Sequence, residues 1–300
     1  MKKPELPNKV FPSAKDDVSV SRRVPDTPQT RSSAYRLAYA DKQFLLRDEL
    51  RPVRLQLELL KPELLQHEHG IHSTVVIFGS TRIPERKLAI ERLQQAEALV
   101  LANPTDPALT RQVKIAASIL DKVRYYDEAR LLARMITERS QQDENCELVI
   151  ITGGGPGIME AANRGADDVG GKSIGLNIVL PMEQCPNPYI TPNLSFQFHY
   201  FAIRKMHFLM RAKALVAFPG GLGTLDELFE TLTLIQTQKV KPVPVLLFGR
   251  EYWQRIINFD ALVEEGTIDP ENLDLFQYVE TAKEAWAAIR YFYYADQGAD

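Results

Sequence analysis

Apolar, β-branched runs that end in glycine recur along the chain, and each is followed by a segment with helical spacing. The clearest are 73–82 (STVVIFGSTR), 146–155 (CELVIITGGG) and 214–221 (ALVAFPGG). Strands that are almost continuously apolar are typical of a parallel sheet covered on both faces. The pattern therefore predicts an α/β fold, with a parallel sheet flanked by helices on both faces and a helical N-terminal extension.

Composition divides the chain into three predicted segments. Residues 1–33 are rich in Pro, Ser and charge, and we expect them to form a mobile arm. Residues 34–72 have helical spacing interrupted by Pro52 and Pro62, which indicates a helical extension. Residues 73–300 carry the alternating strands and helices and form the predicted main domain.

Overall composition limits the cellular setting and the partners. The 300 residues carry a net charge of −3 and only two cysteines, with no CxxC pair. No apolar run approaches the roughly 18 residues that a membrane-spanning helix needs. The lysines near the start precede no apolar segment of the kind found in signal peptides. We expect a cytoplasmic protein without disulfide bonds, and neither nucleic acid nor a membrane as partner.

Three glycine-bearing loops follow predicted strands, at Gly79, at 153–157 and at 220–223. Ligands of parallel α/β sheets bind at the carboxyl ends of the strands, so the three loops together favour a site for a phosphorylated small molecule. The loop at 153–157 departs from the dinucleotide fingerprint GxGxxG, because Ile158 stands where the last glycine belongs. A tight turn without a ligand remains the alternative for this loop.

Two other stretches resemble ligand motifs but fail on spacing or context. Segment 165–173 (GADDVGGKS) has Ala166 where a phosphate-binding P-loop needs glycine, and it follows a helix rather than a strand. Segment 67–72 (HEHGIH) has Ile71 where the zinc motif HExxH needs histidine. We therefore predict no metal site, and a solvated loop at 67–72.

The stretch 218–230 (FPGGLGTLDELFE) combines a glycine turn with acidic residues at the start of a predicted helix. The N-terminus of a helix attracts anions, because its N–H groups are free and the helix dipole is positive there. Thr224 and Glu227 also have the spacing of a capping box, in which each side chain satisfies a backbone N–H group. Glu227 is therefore either a functional carboxylate or only a cap.

The segment 219–227 (PGGLGTLDE) fits the PGGxGTxxE signature of the LONELY GUY family, often labelled "lysine decarboxylase-like". The pair Arg204 and Lys205, the loop GGGPGIME and the stretch FGSTR are similar to further family motifs, and the N-terminal extension resembles that of the larger bacterial members. The resemblance spans about 73–248. It implies a Rossmann-like, nucleotide-binding catalytic domain that cleaves nucleoside 5'-monophosphates into free base and ribose 5-phosphate.

The resemblance also implies roles for individual residues. Arg204 and Glu227 take the places of the family's catalytic arginine and glutamate. We expect the N–H groups of Gly221, Gly223 and Thr224, with the Thr224 hydroxyl, to bind the 5'-phosphate. The full set of predicted substrate-binding residues is Gly79, Ser80, Gly154, Gly155, Met159, Lys205, Gly220, Gly221, Gly223 and Thr224. No cofactor is implied, and a homodimer or higher homo-oligomer is expected.

Two other functions remain to be weighed. A non-catalytic carrier of a nucleotide or of molybdenum cofactor is the main alternative, although it has no need of a carboxylate at Glu227. A lysine decarboxylase is disfavoured, because no lysine lies in a recognisable setting for a pyridoxal-phosphate Schiff base. The residues do not indicate which base is preferred, or whether the role is cytokinin activation or nucleotide salvage as by an AMP nucleosidase.

Overall fold

A computed structural model describes residues 11–141, 146–181 and 185–294, and its centre is a parallel β-sheet. Every recorded strand pair is parallel. The predicted α/β architecture with a Rossmann-like parallel sheet is thereby confirmed. The strands are β1 Thr74–Phe78, β2 Val149–Thr152, β3 Ser173–Ile178, β4 Ser195–Phe198, β5 Ala212–Ala217, β6 Val245–Phe248 and β7 Gln277–Val279.

The order of the strands places a topological switch point in the middle of the sheet. Across the sheet the strands follow the order β4-β3-β2-β1-β5-β6-β7. The chain thus builds outward from β1 in one direction, then returns to the other side of β1 with β5. Loops that follow the two strands at such a point diverge to opposite faces and leave a crevice for a ligand. The glycine-bearing loops after β1 and β5 flank this crevice.

Helices that follow Glu58 in the chain cover both faces of the sheet. Within the described residues the α-helices are α1 Ala14–Ser21, α2 Pro28–Arg31, α3 Lys42–Leu45, α4 Arg51–Glu68, α5 Arg86–Ala102, α6 Pro107–Asp121, α7 Val123–Ser140, α8 Ile158–Asp167, α9 Phe201–Leu209, α10 Leu222–Gln236, α11 Arg250–Ile256, α12 Phe259–Glu264 and α13 Ala282–Tyr294. Short 3-10 helices occupy Ser33–Tyr35, Ala38–Ala40, Asp48–Leu50, Pro192–Leu194 and Pro270–Leu275. No helix among the described residues is both long and apolar enough to cross a membrane.

The hydrophobic core has two layers, one on each face of the sheet. Successive side chains of β1 alternate between them, with Val75 and Ile77 in one layer and Val76 and Phe78 in the other. The first layer is closed by α7, α8 and α13, and the second by α9 to α12. Because strand side chains point alternately to the two faces, burial of both sets explains why the strands are apolar throughout.

By contacts the chain divides into two units, Met1–Glu58 and Leu59–Asp300, and the division falls within α4. The boundaries at 33 and 72, like the mobility of the predicted arm, stay predictions, and residues 1–10 of that arm lie outside the described residues. The expected interruption at Pro62 was wrong, because α4 continues through this buried proline. Stretch 67–72 therefore begins in the last turn of α4 rather than in a loop.

Candidate active site

A cleft of about 630 Å³ lies at the carboxyl ends of the strands, beside the switch point. It is formed by the loops after β1, β2 and β5, the end of β3 and the first turns of α8, α9 and α10. This volume falls within the range of small-molecule sites. Most of the predicted site residues line it, namely Gly79, Ser80, Met159, Arg204, Gly221, Gly223, Thr224 and Glu227.

The three glycine-bearing loops are hydrogen-bonded to one another. The N–H group of Ser80 donates to the Pro219 carbonyl at 3.0 Å, and the Ser80 carbonyl accepts from the Ile158 N–H at 3.1 Å. Gly157 has a φ of 74°, and a Cβ there would lie 2.3 Å from the Ser80 oxygen. Only glycine allows the backbone of this loop to lie so close to Ser80. At least one glycine of the loop is therefore needed for packing, whether or not the loop also contacts a ligand.

The other predicted substrate-binding residues, Gly154, Gly155, Lys205 and Gly220, do not line the cleft. The carbonyls of Gly154 and Gly155 accept hydrogen bonds from Asn187 Nδ2, at 3.2 and 3.1 Å. The Gly220 carbonyl accepts one from the Tyr252 hydroxyl at 2.5 Å. In the structure the three glycines shape the loops and Lys205 forms ion pairs, and a substrate-binding role for these four residues stays a prediction.

Glu227 is a buried carboxyl group at the cleft, with 7% of the residue exposed. Burial raises its pKa to about 7. The positive charges of Lys205 and Arg204 oppose this rise, whereas the negative charges of Glu230 and Asp226 add to it. A carboxyl group with a pKa near neutrality can exchange a proton at physiological pH, which is a property of acid–base catalysts.

Lys205 lies among three carboxylates rather than in the cleft. Its Nζ is 2.9 Å from Asp226 Oδ2, 2.7 Å from Glu230 Oε2 and 3.7 Å from Glu227 Oε2. Burial acts to lower the pKa of Lys205, but the bonds to Glu230 and Asp226 outweigh it and the pKa is raised. Lys205 therefore stays charged, and it both fixes the helix carrying Glu227 and favours the ionised form of that group. Asp226, the other acidic residue before Glu227, is thus an ion-pair partner of Lys205.

Arg204 extends from α9 into the cleft and is held at its Nε atom. That atom donates to the Leu176 carbonyl at 2.7 Å, and the guanidinium carbon lies 5.1 Å from the centre of the Phe208 ring. A Cβ at Gly153 would lie 2.8 Å from Arg204 Nη2, so this glycine leaves room for the guanidinium. Burial lowers the pKa of Arg204, and the Glu227 charge opposes that shift. The remaining N–H groups are available to a ligand.

The helix start at Gly221 differs from the capping box that the sequence allows. Gly221 is the N-cap of α10 without a side-chain cap bond, and Thr224 and Glu227 lie within the helix. The interpretation of Glu227 as a cap was therefore wrong. The Thr224 N–H donates to the Gly221 carbonyl at 3.0 Å. This N–H was predicted to bind the phosphate, but its hydrogen bond within the helix leaves it unavailable. The N–H groups of Leu222 and Gly223 belong to the first turn, which has no internal acceptors for them.

A buried network of polar side chains supports the loop after β2. Asn163 Oδ1 accepts from Thr152 Oγ1 at 2.8 Å and from Asn187 Nδ2 at 2.9 Å. Asn163 Nδ2 donates to Ser173 Oγ at 3.0 Å, and Thr152 Oγ1 accepts from the Gly154 N–H at 3.0 Å. The network thus connects α8, β2, β3 and the glycine loop. Sequence reasoning missed it, although an amide on the apolar face of α8 was a signal.

Replacing Asn163 by alanine is expected to lower the free energy of unfolding by about 1–3 kcal/mol, because it leaves buried hydroxyl and amide groups without a partner. Chemical denaturation of the variant measures this loss. The exposed Asn193 offers a matched control, and Asn193→Ala should stay within about 0.5 kcal/mol of the wild type. Equal stabilities of the two variants would show that the network contributes nothing.

The structure offers no metal centre within the described ranges, since no group of three or more His, Cys, Asp or Glu residues there is placed to hold an ion. The cleft instead contains a carboxyl group of raised pKa, a guanidinium and a helix N-terminus. This arrangement can bind an anion at one end and stabilise positive charge at the other.

Comparisons with known proteins place the chain in a family. A family model described as "Possible lysine decarboxylase" matches residues 159–289. The cytokinin riboside 5'-monophosphate phosphoribohydrolase LOG3 of Arabidopsis thaliana is 30% identical over 167 residues, which are 54% of this chain and 73% of that protein. The chain belongs to the LONELY GUY (LOG) family. LOG1 of the same plant is 30% identical over 168 residues, covering 74% of its length. The family predicted from the motifs is confirmed.

Solved structures similar to this LOG protein include two that bind or carry molybdenum cofactor. The molybdenum cofactor binding protein of Rippkaea orientalis is 19% identical, covers 56% of this chain and 87% of its own, and has a TM-score of 0.40. The Moco carrier protein of Chlamydomonas reinhardtii is 22% identical, covers 56% and 86%, and has a TM-score of 0.36. The fold assignment rests on the sheet itself and not on these neighbours.

Asn177 and Phe201 are among the cleft residues of this LOG protein that were not predicted as site residues. Asn177 lies near the carboxyl end of β3 and lines the cleft, and its Nδ2 donates to the Phe196 carbonyl at 3.1 Å. Phe201 lines the cleft from the first residue of α9. Position at a strand end was a usable signal for Asn177, since such ends face the crevice.

Proposed function

We propose that this protein hydrolyses the N-glycosidic bond of nucleoside 5'-monophosphates, giving free base and ribose 5-phosphate. The observation that carries the proposal is Glu227, a buried carboxyl group with a pKa of about 7 at the same cleft as Arg204. Membership of the LOG family supports an enzyme of the phosphoribohydrolase kind, since its curated relatives bear that name.

The phosphate end of the proposed site is the start of α10. The first-turn N–H groups of Leu222 and Gly223 and the positive end of the helix dipole favour an anion there. The Thr224 side chain also lines the cleft. Since Glu227 lies one helical turn further along α10, a bound phosphate and this carboxyl group are separated, which limits the repulsion between them.

The proposed reaction uses Glu227 at the other end of the ribose. When the bond between C1' and the base nitrogen breaks, its electron pair leaves with the base and positive charge develops on the ribose. The Glu227 carboxylate stabilises that charge and accepts a proton from the water whose oxygen bonds to C1'. Arg204 holds the ligand and donates hydrogen bonds to the departing base or to the ribose hydroxyls, which its planar group of donors suits. The proton taken from water passes from Glu227 to the base nitrogen, directly or through solvent, so that the products are the neutral base and ribose 5-phosphate.

A panel of ligands tests the proposal. Purified protein is incubated with AMP, GMP, CMP, UMP and an N6-prenylated AMP, and with the matching nucleosides. The prenylated compound is included because Ile178, Leu180 and Phe201 line the cleft with apolar surface. We expect kcat/KM for at least one monophosphate to exceed that for its nucleoside by about 10²-fold, because the phosphate contacts are charge-assisted. Tight binding of a nucleotide without turnover would instead support the carrier function.

The charges around Glu227 predict a pH dependence. Catalysis needs the carboxylate, so kcat/KM should rise through a pH of about 7. Lys205→Met removes a charge that lowers the pKa of Glu227, so the rise should move upward by about 1 pH unit. Asp226→Asn removes a charge that raises this pKa, and the rise should move downward. Shifts in the same direction for both variants, measured as pH–rate profiles, would contradict the assigned electrostatics.

We further propose that the protein forms a homodimer or a higher homo-oligomer through the surface around the cleft. Phe201, Met206, Leu222 and Phe229 are exposed on α9 and α10, and Leu222 has 85% of its surface free in the single chain. Such a grouping of apolar side chains is typical of an interface. Light scattering should give at least twice the mass of one chain, and Leu222→Asp should lower that mass.

A cytoplasmic location stays a prediction.

A further inference from the structure

A second cavity, of about 390 Å³, adjoins the cleft and is not used by the proposed reaction. It shares Ser80, Arg82 and Gly221 with the cleft, so the two spaces meet at the turn before α10. Its other walls come from α6 and from Tyr252, whose hydroxyl donates to the Gly220 carbonyl. One wall of this cavity is therefore the turn that the proposed function assigns to the 5'-phosphate.

The charged side chains that line this cavity are all positive: Arg82, Arg111, Lys114 and Lys122. The cations do not reflect composition, because the whole chain carries a net charge of −3. Within the described part of the chain, no carboxylate forms an ion pair with any of them at 4.0 Å or less. Lys122 Nζ donates hydrogen bonds to Ser118, at 2.8 Å to its hydroxyl and 3.0 Å to its carbonyl.

The spacing along α6 directs these cations to one side of the helix. Arg111, Lys114 and Ser118 are three and four residues apart, so they lie on the same face, and Lys122 follows one turn later. A basic helix face that only contacts solvent is the alternative, and it would not need to lie beside a ligand-sized space. Here the face lines a concave space together with the Gly221 turn, where a Cβ would meet no atom within 4 Å. Cations converging on an open space beside a helix N-terminus favour an anion.

We infer that this cavity binds a phosphoryl group in addition to the one at the start of α10. The group is either the terminal phosphate of a nucleoside 5'-diphosphate whose first phosphate occupies the cleft, or part of a free pyrophosphate. Arg111 and Lys114 supply charge-assisted hydrogen bonds to it, and Arg82 stands between the two phosphate positions because it lines both spaces. The inference rests on the proposed function only for the position of the first phosphate.

Calorimetric titration at constant ionic strength tests the inference, with AMP, ADP and pyrophosphate as probes. The protein carries Glu227→Gln, so that the nucleotides are not consumed. Arg111→Ala/Lys114→Ala is compared with Lys87→Ala/Arg92→Ala, which removes the same charge from exposed positions on α5 outside the cavity. The arginines and lysines replaced in the two double variants are all exposed, and circular dichroism checks that both double variants fold.

The α6 variant should bind ADP about tenfold more weakly than its parent and AMP within about twofold, whereas the α5 variant should match its parent for both. Loss of pyrophosphate affinity without loss of ADP affinity would assign the cavity to the free anion. If both double variants bind ADP and pyrophosphate equally well, the inference is wrong. Base release from AMP by the wild type is measured in parallel, so that failure of the proposed function is seen separately.

Discussion

Replacing Glu227 by glutamine is expected to lower kcat for the best nucleoside monophosphate by about 10²–10⁴-fold, the usual contribution of a general base. The amide keeps the shape of the side chain but can neither accept a proton from water nor offset the positive charge on the ribose. Substrate affinity should change little, because the phosphate contacts lie at the start of α10. Steady-state kinetics at pH 8 separates kcat from KM.

We expect stability measurements to exclude a folding defect in this variant. The pKa of Glu227 in the folded protein is about 7, above the model-peptide value of 4.5, so the native state binds the proton more tightly than the unfolded chain. The carboxyl group's contribution to stability is therefore lost as the pH rises from 4.5 through 7. Glu227→Gln should melt no lower than the wild type at pH 8. Glu264→Gln, at an exposed carboxylate in α12, serves as the activity control. Full activity of Glu227→Gln would remove this residue from the mechanism.

Replacing Arg204 by alanine is expected to lower kcat/KM by about 10²–10³-fold, the size of effect seen when a preorganised donor is removed. Arg204 is anchored by its Nε to the Leu176 carbonyl and therefore points its remaining donors without loss of side-chain freedom. Arg204→Lys should recover little, because one ammonium cannot bond that carbonyl and also present a planar pair of donors.

The Arg204 variants also change the acid limb of the pH profile. The Arg204 charge lowers the pKa of Glu227. The residual activity of the alanine variant should therefore rise at a higher pH than that of the wild type, and the lysine variant, which keeps a positive charge, should show a smaller upward shift. The exposed Arg255→Ala in α11 is the matched control and should behave as the wild type. An unchanged kcat/KM in Arg204→Ala would contradict the assigned role.

The sheet and the edge that carries the site could be predicted from the sequence, because both depend on local patterns. Continuously apolar runs that end in glycine mark strands buried on both faces, and β1, β2 and β5 follow that pattern. The positions of Arg204 and Glu227 at one cleft then follow from the family motif together with the shared edge of the strands.

Features that depend on long-range contacts could not be predicted. The spacing of Thr224 and Glu227 allows a capping box, but the helix starts at Leu222 and shifts both residues into its interior. Lys205 lies 21 residues before Asp226 and 25 before Glu230 in the sequence, and only the packing of α9 beside α10 brings it to these carboxylates. The basic cavity likewise needs α6 placed over the turn at Gly221.

Product analysis of one complete reaction tests the central claim most directly. A monophosphate turned over in the panel is incubated with the wild type, and free base, ribose 5-phosphate, nucleoside and inorganic phosphate are all quantified. The proposed mechanism predicts equal amounts of base and ribose 5-phosphate, with neither nucleoside nor inorganic phosphate formed. Release of nucleoside with inorganic phosphate, or of base without an equal amount of ribose 5-phosphate, would contradict it.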